Sequence, residues 1–410
     1  SVVGNIMGMA IPMTAAQLIN LLYNVVDRIY IGYIPEHATL SLTGLGVCLP
    51  VITAVMAFAN LFGMGGAPLC SIERGRGNQK EAEAIMGNAF TLMVICGILL
   101  TILGIVFRRP LLYLFGASDS TYPYAESYMT IYLLGSVFVM MGLGMNAFIN
   151  SQGFGRIGMQ TVLLGAVANI ILDPVFIFGF RMDVRGAALA TIISQFLSAA
   201  WVLRFLFSDR SILRLKRETM VLKKARVLKI VSMGMSSFAA GFTNSVVAVA
   251  CNATLQTWGG DLYVGVMTVI HSVREIAENL VKGLTGGSQP VLGYNFGAGQ
   301  YDRVKKAIRF LSVSTIAFTT FCWILISIFP ETFIHIFNRD ETLVQAAIPA
   351  VRVYFFGFFM MSLQYSGQAC FIGLGKAKQA TFFSIFRKVI IVLPLTLLFP
   401  RLGGLGAMGV

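Results

Sequence analysis

The chain has 410 residues, 56% apolar and 12% charged, with a net charge of +13 and a mean hydropathy of +0.77. That composition lies far outside the range of soluble globular proteins and marks a polytopic membrane protein. The basic excess could suggest nucleic acid, but its placement in loops between apolar segments assigns it to topology instead.

Eleven apolar segments reach the length of about 20 residues that a helix needs to cross the bilayer. They lie near 5–32, 44–69, 84–107, 127–150, 158–180, 186–207, 228–255, 262–293, 306–329, 345–373 and 378–399. Segments this long, with Gly and Pro inside them, predict helices and not the ~10-residue alternating strands of a barrel. The first segment has neither a basic start nor a clear cleavage site, so no cleavable signal peptide is expected. The six cysteines (Cys48, Cys70, Cys96, Cys251, Cys322 and Cys370) are dispersed without metal-ligand spacing and read as packing residues.

In the first segment Gln17, Asn20, Asn24 and Asp27 stand at i, i+3, i+7 and i+10, one helical face that ends in an acid. The fourth adds Asn146 and Asn150, one turn apart. The fifth contains NIILDPVFIFG, Asn169 to Gly179, which sets an acid inside an otherwise nearly unpolar segment. A charge near the bilayer centre costs at least ~2.5–3.5 kcal/mol on insertion scales, so Asp173 must face protein or water. Asn169, four residues earlier, shares its face, and Pro174 removes a backbone donor beside it. The sixth segment brings Thr191, Ser194 and Gln195.

Asp27, Asn146, Asn169, Asp173 and Thr191 sit at comparable depth, so a bundle can gather them around one interior cavity. Their carboxylate, amide and hydroxyl oxygens suit a hard cation such as Na⁺, or a proton carried on a carboxylate. Gln17, Asn20 and Asn24 are candidates for the substrate cleft. The competing readings are a local Asp27–Arg28 pair, a helix kink at Asp173 ahead of Pro174, and interhelical bonding by the amides, worth ~0.6 kcal/mol each.

The longest hydrophilic stretch, Ser208 to Arg226, is strongly basic and divides the chain near its middle. Around it the sequence repeats. An offset of 222 places Pro68 on Pro290, Gly75 on Gly297, Gly77 on Gly299, Tyr132 on Tyr354 and Gly135 on Gly357, and an offset of 220 places Pro174 on Pro394. Six spans per copy is an even number, so the copies enter from the same membrane face as a parallel repeat. The fold expected is therefore all-α: twelve transmembrane helices in two pseudo-symmetric six-helix bundles. Residues 1–207 form the first bundle, 208–226 the linker, and 227–410 the second bundle with its twelfth helix incomplete. With the amino terminus inside, inner loops hold nineteen Lys/Arg against six in outer loops, which places both ends of the intact chain in the cytoplasm.

The eighth segment is the most charged, with His271, Arg274, Glu275, Glu278 and Lys282. Arg274–Glu278 and Glu278–Lys282 are i,i+4 pairs of opposite sign. Mutual neutralisation competes here with a role for Glu275 or Glu278 in attracting cationic substrate or relaying protons. Arg352, Arg387 and Lys388 add positive charge to the second half without an assigned role.

VDRIYIG in the first segment, Gly75-Arg76-Gly77, the NxxLDPxFIFG of the fifth and QPVLGYNFGAG from Gln289 to Gly299 resemble the multidrug and toxic compound extrusion (MATE) family, in its prokaryotic multidrug-type branch. The resemblance covers nearly the whole chain. It implies secondary antiport driven by Na⁺ or H⁺ and export of small amphipathic, mostly cationic compounds. It also implies a cation site at Asp27, Asn146, Asn169, Asp173 and Thr191, the five residues reached from periodicity. Another branch carries acids in its seventh and tenth helices, whereas 228–255 and 345–373 hold none here, which moves the expected coupling site into the first half. A bacterial inner-membrane monomer is expected, embedded in the lipid bilayer, with no cofactor, no firm metal site and no nucleic-acid partner. No catalytic Ser/His/Asp set or P-loop appears, so an enzyme is not expected. The rival readings are a lipid-linked glycan flippase of related layout, and a receptor or channel.

Overall fold

The computed structural model describes residues 1–410 and is built from helices. In chain order these are α1 (Val2–Gly32), α2 (Ala38–Gly75), α3 (Gln79–Val106), the short α4 (Arg108–Leu114), α5 (Tyr122–Leu134), α6 (Ser136–Ser151), α7 (Gly155–Gly179) and α8 (Val184–Phe207). After the linker come α9 (Lys224–Gly297), α10 (Tyr301–Ile328), the short α11 (Pro330–Phe337), α12 (Glu341–Gly373) and α13 (Ala377–Arg401).

Nine of these are long and apolar enough to cross a membrane, and the bent pair α5–α6 supplies a tenth passage. Helix α9, with 74 residues, would be about 110 Å long if straight. It is not straight: Gly260, at φ 66° and ψ −163°, occupies a region open only to glycine, and the chain turns there into a second limb. Each of the eleven apolar segments thus falls on its own passage. Where the sequence expects a twelfth helix to open, Gly406–Gly409 forms a single 3₁₀ turn.

The repeat is visible in the backbone. Gly77 and Gly299 both close their helices with left-handed φ, +78° and +72°. Segments 127–150 and 345–373 read as plain spans, yet both are broken at repeat-related glycines. The chain bends by 61° between α5 and α6 at Gly135, and Gly357 takes φ +75° inside α12.

Each half has its own apolar core. One cluster of 39 buried residues runs from Ile31 to Ile230, and another of 15 runs from Leu255 to Phe358. Between halves the main contacts are backbone crossings at glycine, which in lipid replace the missing hydrophobic drive with close packing. A Cβ on Gly65 would strike the carbonyl of Ile230, and one on Gly234 that of Leu61. On α1, Ala10 and Thr14 pack against Gly287 and Gly283 of α9 in the same way. At the basic-loop end α2 crosses α9: a Cβ on Gly75 would strike the carbonyl oxygen of Tyr294, and one on Gly297 that of Ile72. The halves are therefore sealed at that end, and beyond the crossings they part around two adjoining cavities.

The linker is not loose. Asn88 of α3 donates to the carbonyls of Thr219 and Val221 and accepts from the Lys223 amide, while Thr91 donates to the carbonyl of Met220. Glu81 holds Arg226 with two hydrogen bonds of 3.0 and 2.9 Å, and Glu83 pairs with Lys216.

Candidate functional site

Small residues set the position of α7. Gly158 and Gly165 share the face that later carries Asn169 and Asp173, and side chains of Asn150 and Ser198 occupy the space their Cβ atoms would need. That draws α7 against α6 and α8 and turns its polar face inward. At Pro174 the helix loosens into a π turn, Val175–Gly179, and Gly186 at the start of α8 packs against the backbone of Phe176 in that turn. Thr191 follows one and a half turns later and is buried.

Asp173 and Asn169 are buried, at 0% and 1% exposure, and Asn169 Nδ2 donates to Asp173 Oδ2 at 2.7 Å. From α1, Asp27 comes beside Asp173 and Asn169. Arg28, its sequence neighbour, is exposed. Asp27 and Arg28 line the same cavity, but no ion pair of 4 Å or less joins them. Two carboxylates this close repel unless a proton or cation stands between them.

Four oxygens here are buried without a donor: Asp27 Oδ1, Asn169 Oδ1, Asp173 Oδ1 and Thr191 Oγ1. Buried polar atoms are rarely left unpaired, so the set fits a hard cation or a bound proton. Asp27 and Thr191 also line a cavity of ≈ 340 Å³ together with Gln17, Asn20 and Asn24, and α9 closes its other wall with Glu275 and Asn279. Three tyrosines complete the lining, Tyr23, Tyr128 and Tyr132, and the Tyr23 side chain lies beside Thr191. Sequence reasoning missed them as site residues, although Tyr23 is four residues before Asp27 and Tyr128 four before Tyr132, each pair on one face.

Asn146 likewise keeps a buried donor-free oxygen, Oδ1. Its Nδ2 donates to the carbonyl of Gly158 at 3.2 Å, and it lines the adjoining cavity of ≈ 180 Å³ with Asn60, Asn150 and Gln289. A π turn, Met141–Met145, stands just before it in α6. Gln17 and Asn20 line both cavities.

The charged face of α9 divides. Glu275 points into the larger cavity, whereas Glu278 turns into the second bundle. There it pairs with Arg274 and, at 3.8 Å, with Lys282, and it accepts from the Tyr365 hydroxyl. Both i,i+4 pairs anticipated from spacing are formed. His271 is exposed and sits edge-on to Tyr354, and Arg352 is exposed.

Comparison with known proteins identifies the family and the fold. The MatE family model matches residues 12–175 and again 236–398, one copy in each half. The multidrug export protein MepA of Staphylococcus saprophyticus is 23% identical over 392 residues, covering 96% of this chain and 86% of that protein. MepA of Staphylococcus haemolyticus is 24% identical over 386 residues, covering 94% and 84%. A solved outward-facing multidrug resistance MATE family transporter superposes with a TM-score of 0.91 at 21% identity, over 99% of this chain and 90% of its own. A MOP superfamily transporter from Pyrococcus furiosus gives 0.91 at 21% over the same shares. The two-bundle helical fold expected from the sequence is the fold of these structures.

Proposed function

The chain belongs to the MATE family, and from that premise we propose that it exports amphipathic, mostly cationic compounds by antiport against Na⁺ or H⁺. The name of its MepA relatives, multidrug export protein, supports export of drug-like compounds. The observation that carries the coupling reading is the Asp27–Asp173 pair, two neighbouring carboxyls that each keep a buried donor-free oxygen, with Asp27 at the wall of a cavity shared by both halves and Asp173 fully buried.

Asp27 rides on α1 and Asp173 on α7. A cation between them draws the helices together, and its loss lets them repel, so ion occupancy sets where α1 lies. Because α1 also lines the cavity and packs on α9 through Ala10 and Thr14, its movement reshapes the space available to cargo. Substrate enters the same cavity against Gln17, Asn20 and Asn24, with Glu275 attracting its positive charge. The basic loops at the sealed end support a cytoplasmic placement of that end, and with it an outward-open reading of the cavities.

Proteoliposomes loaded with a fluorescent organic cation test the reading, with a Na⁺ gradient and a pH gradient imposed separately. Asp27→Asn and Asp173→Asn should each abolish gradient-driven movement while the parent protein responds to one of the two gradients. Coupled transport at parental rates in both variants refutes it.

A further inference from the structure

The second bundle contains a charged cluster that the cation-coupling scheme leaves unused. Arg274 donates to Glu278 and to the Tyr354 hydroxyl. From α13 come Arg387 and Lys388, and Arg387 reaches Met361, one turn along α12 from the Tyr365 that donates to Glu278. Lys388 is 5% exposed, and its one protein partner is the carbonyl of Ala240 at 2.9 Å. Arg387 Nε is buried with no partner, and its Nη1 meets only the Met361 sulfur at 3.9 Å.

The charges do not balance. With Lys282 there are four cations around one carboxylate, Glu278, whose two oxygens are already taken by Arg274, Tyr365 and Lys282. Glu275 cannot compensate, because it lines the central cavity instead. Buried guanidinium and ammonium groups without counter-charge are costly, and an anion is what relieves them.

The repeat sharpens the contrast. Tyr354 of this cluster is the counterpart of Tyr132, which lines the cavity beside the acid pair. At the offset of 220, Arg387 and Lys388 fall on Val167 and Ala168, just before Asn169. The same framework thus holds two acids in the first bundle and surplus bases in the second.

We propose that Arg387, Lys388 and Arg274 form an anion site in the second bundle, which takes the carboxylate, sulfonate or phosphate group of an amphiphile. It is distinct from the Asp27–Asp173 pocket and stands whether or not that pocket binds the coupling ion. Guanidinium and ammonium donors match such oxyanions, and Arg274 keeps 26% side-chain exposure beside the buried Lys388. The anionic group can belong to a free solute or to a lipid headgroup.

The test uses the full chain in phosphatidylcholine nanodiscs, with 8-anilinonaphthalene-1-sulfonate as fluorescent probe and naphthalene-1-sulfonate as competitor. Saturable, competitor-sensitive binding is expected. Arg387→Gln should raise Kd about tenfold, the effect of losing one charge-assisted hydrogen bond, and Arg387→Lys should recover most of the affinity. Ligand-free Arg387→Gln should melt no lower than the parent, since it sheds an unpaired charge. If Arg387→Gln does not fold, Lys388→Gln reads the same Kd ratio. Displacement of the probe by phosphatidylglycerol doped into the nanodisc identifies a lipid headgroup as the anion, and indifference to it identifies a free solute. Parental Kd in both glutamine variants, or non-saturable binding alone, overturns the proposal. Cation efflux is not read in this experiment, so its failure is separate from failure of the coupling scheme.

Discussion

Gly75 and Gly297 hold the same position in the two copies of the repeat, and each packs on the backbone of the other's helix, Gly75 against Tyr294 and Gly297 against Ile72. Neither contact has room for a side chain. Gly75→Leu and Gly297→Leu are therefore expected to part the halves at the basic-loop end. Ser71, 1% exposed beside this crossing, provides the reporter. Ser71→Cys should resist a membrane-impermeant maleimide in the parent and react in either leucine variant, and equal resistance in all three would show that the seal lies elsewhere.

Asn169 stands beside both acids and donates to Asp173. Asn169→Leu removes a charge-assisted hydrogen bond worth about 1.5–3 kcal/mol, so the half-saturating concentration of the coupling ion should rise at least about tenfold. Ion-titrated transport in proteoliposomes measures it. An unchanged half-saturation point would remove Asn169 from the site.

Two contacts of the linker separate by magnitude. Asn88 is fully buried and makes three hydrogen bonds to linker backbone, so Asn88→Ala should cost about 2 kcal/mol and expose the linker to trypsin at Arg214–Arg217. Glu81 and Arg226 keep 26% and 19% side-chain exposure, and solvent screens such a pair to about 1 kcal/mol or less. Glu81→Gln should leave the linker resistant. Digestion time courses of the two variants should differ clearly, and matching courses would contradict this ranking.

Glu278→Gln withdraws the one carboxylate from a cluster of cations. Removing one partner of a buried pair costs about 3–5 kcal/mol, and the 17% exposure of Glu278 puts the loss toward 2–3 kcal/mol. The melting temperature in detergent should fall, and high salt should recover part of the loss by screening the remaining cations.

Much of the site was legible because polarity is rare inside lipid-length segments. Asn169 and Asp173 share a face at i,i+4, Asp27 ends a polar stripe on one face of α1, and position along the segments put all three at comparable depth. Azimuth is another matter. Depth does not report rotation about a helix axis, and the π turn before Asn146 carries no composition signal strong enough to announce it. Tyr23, Tyr128 and Tyr132 were overlooked for a different reason: an aromatic ring in a span packs well anywhere, and its hydroxyl gives no separate sign. The bends at Gly135 and Gly357 were present as a repeat pair, but a glycine in a membrane helix serves close packing as often as it serves a break.

The strap from Ser208 to Arg226 has a mechanical consequence. Asn88, Thr91, Glu81 and Glu83 tack it to α3 almost along its length, so the covalent tether gives the halves no slack. Any swing of one half must then roll about the glycine contacts near the basic end, which act as a short axle. A small angle there becomes a wide arc at the opposite rim, where the first and second limbs of α9 meet at Gly260.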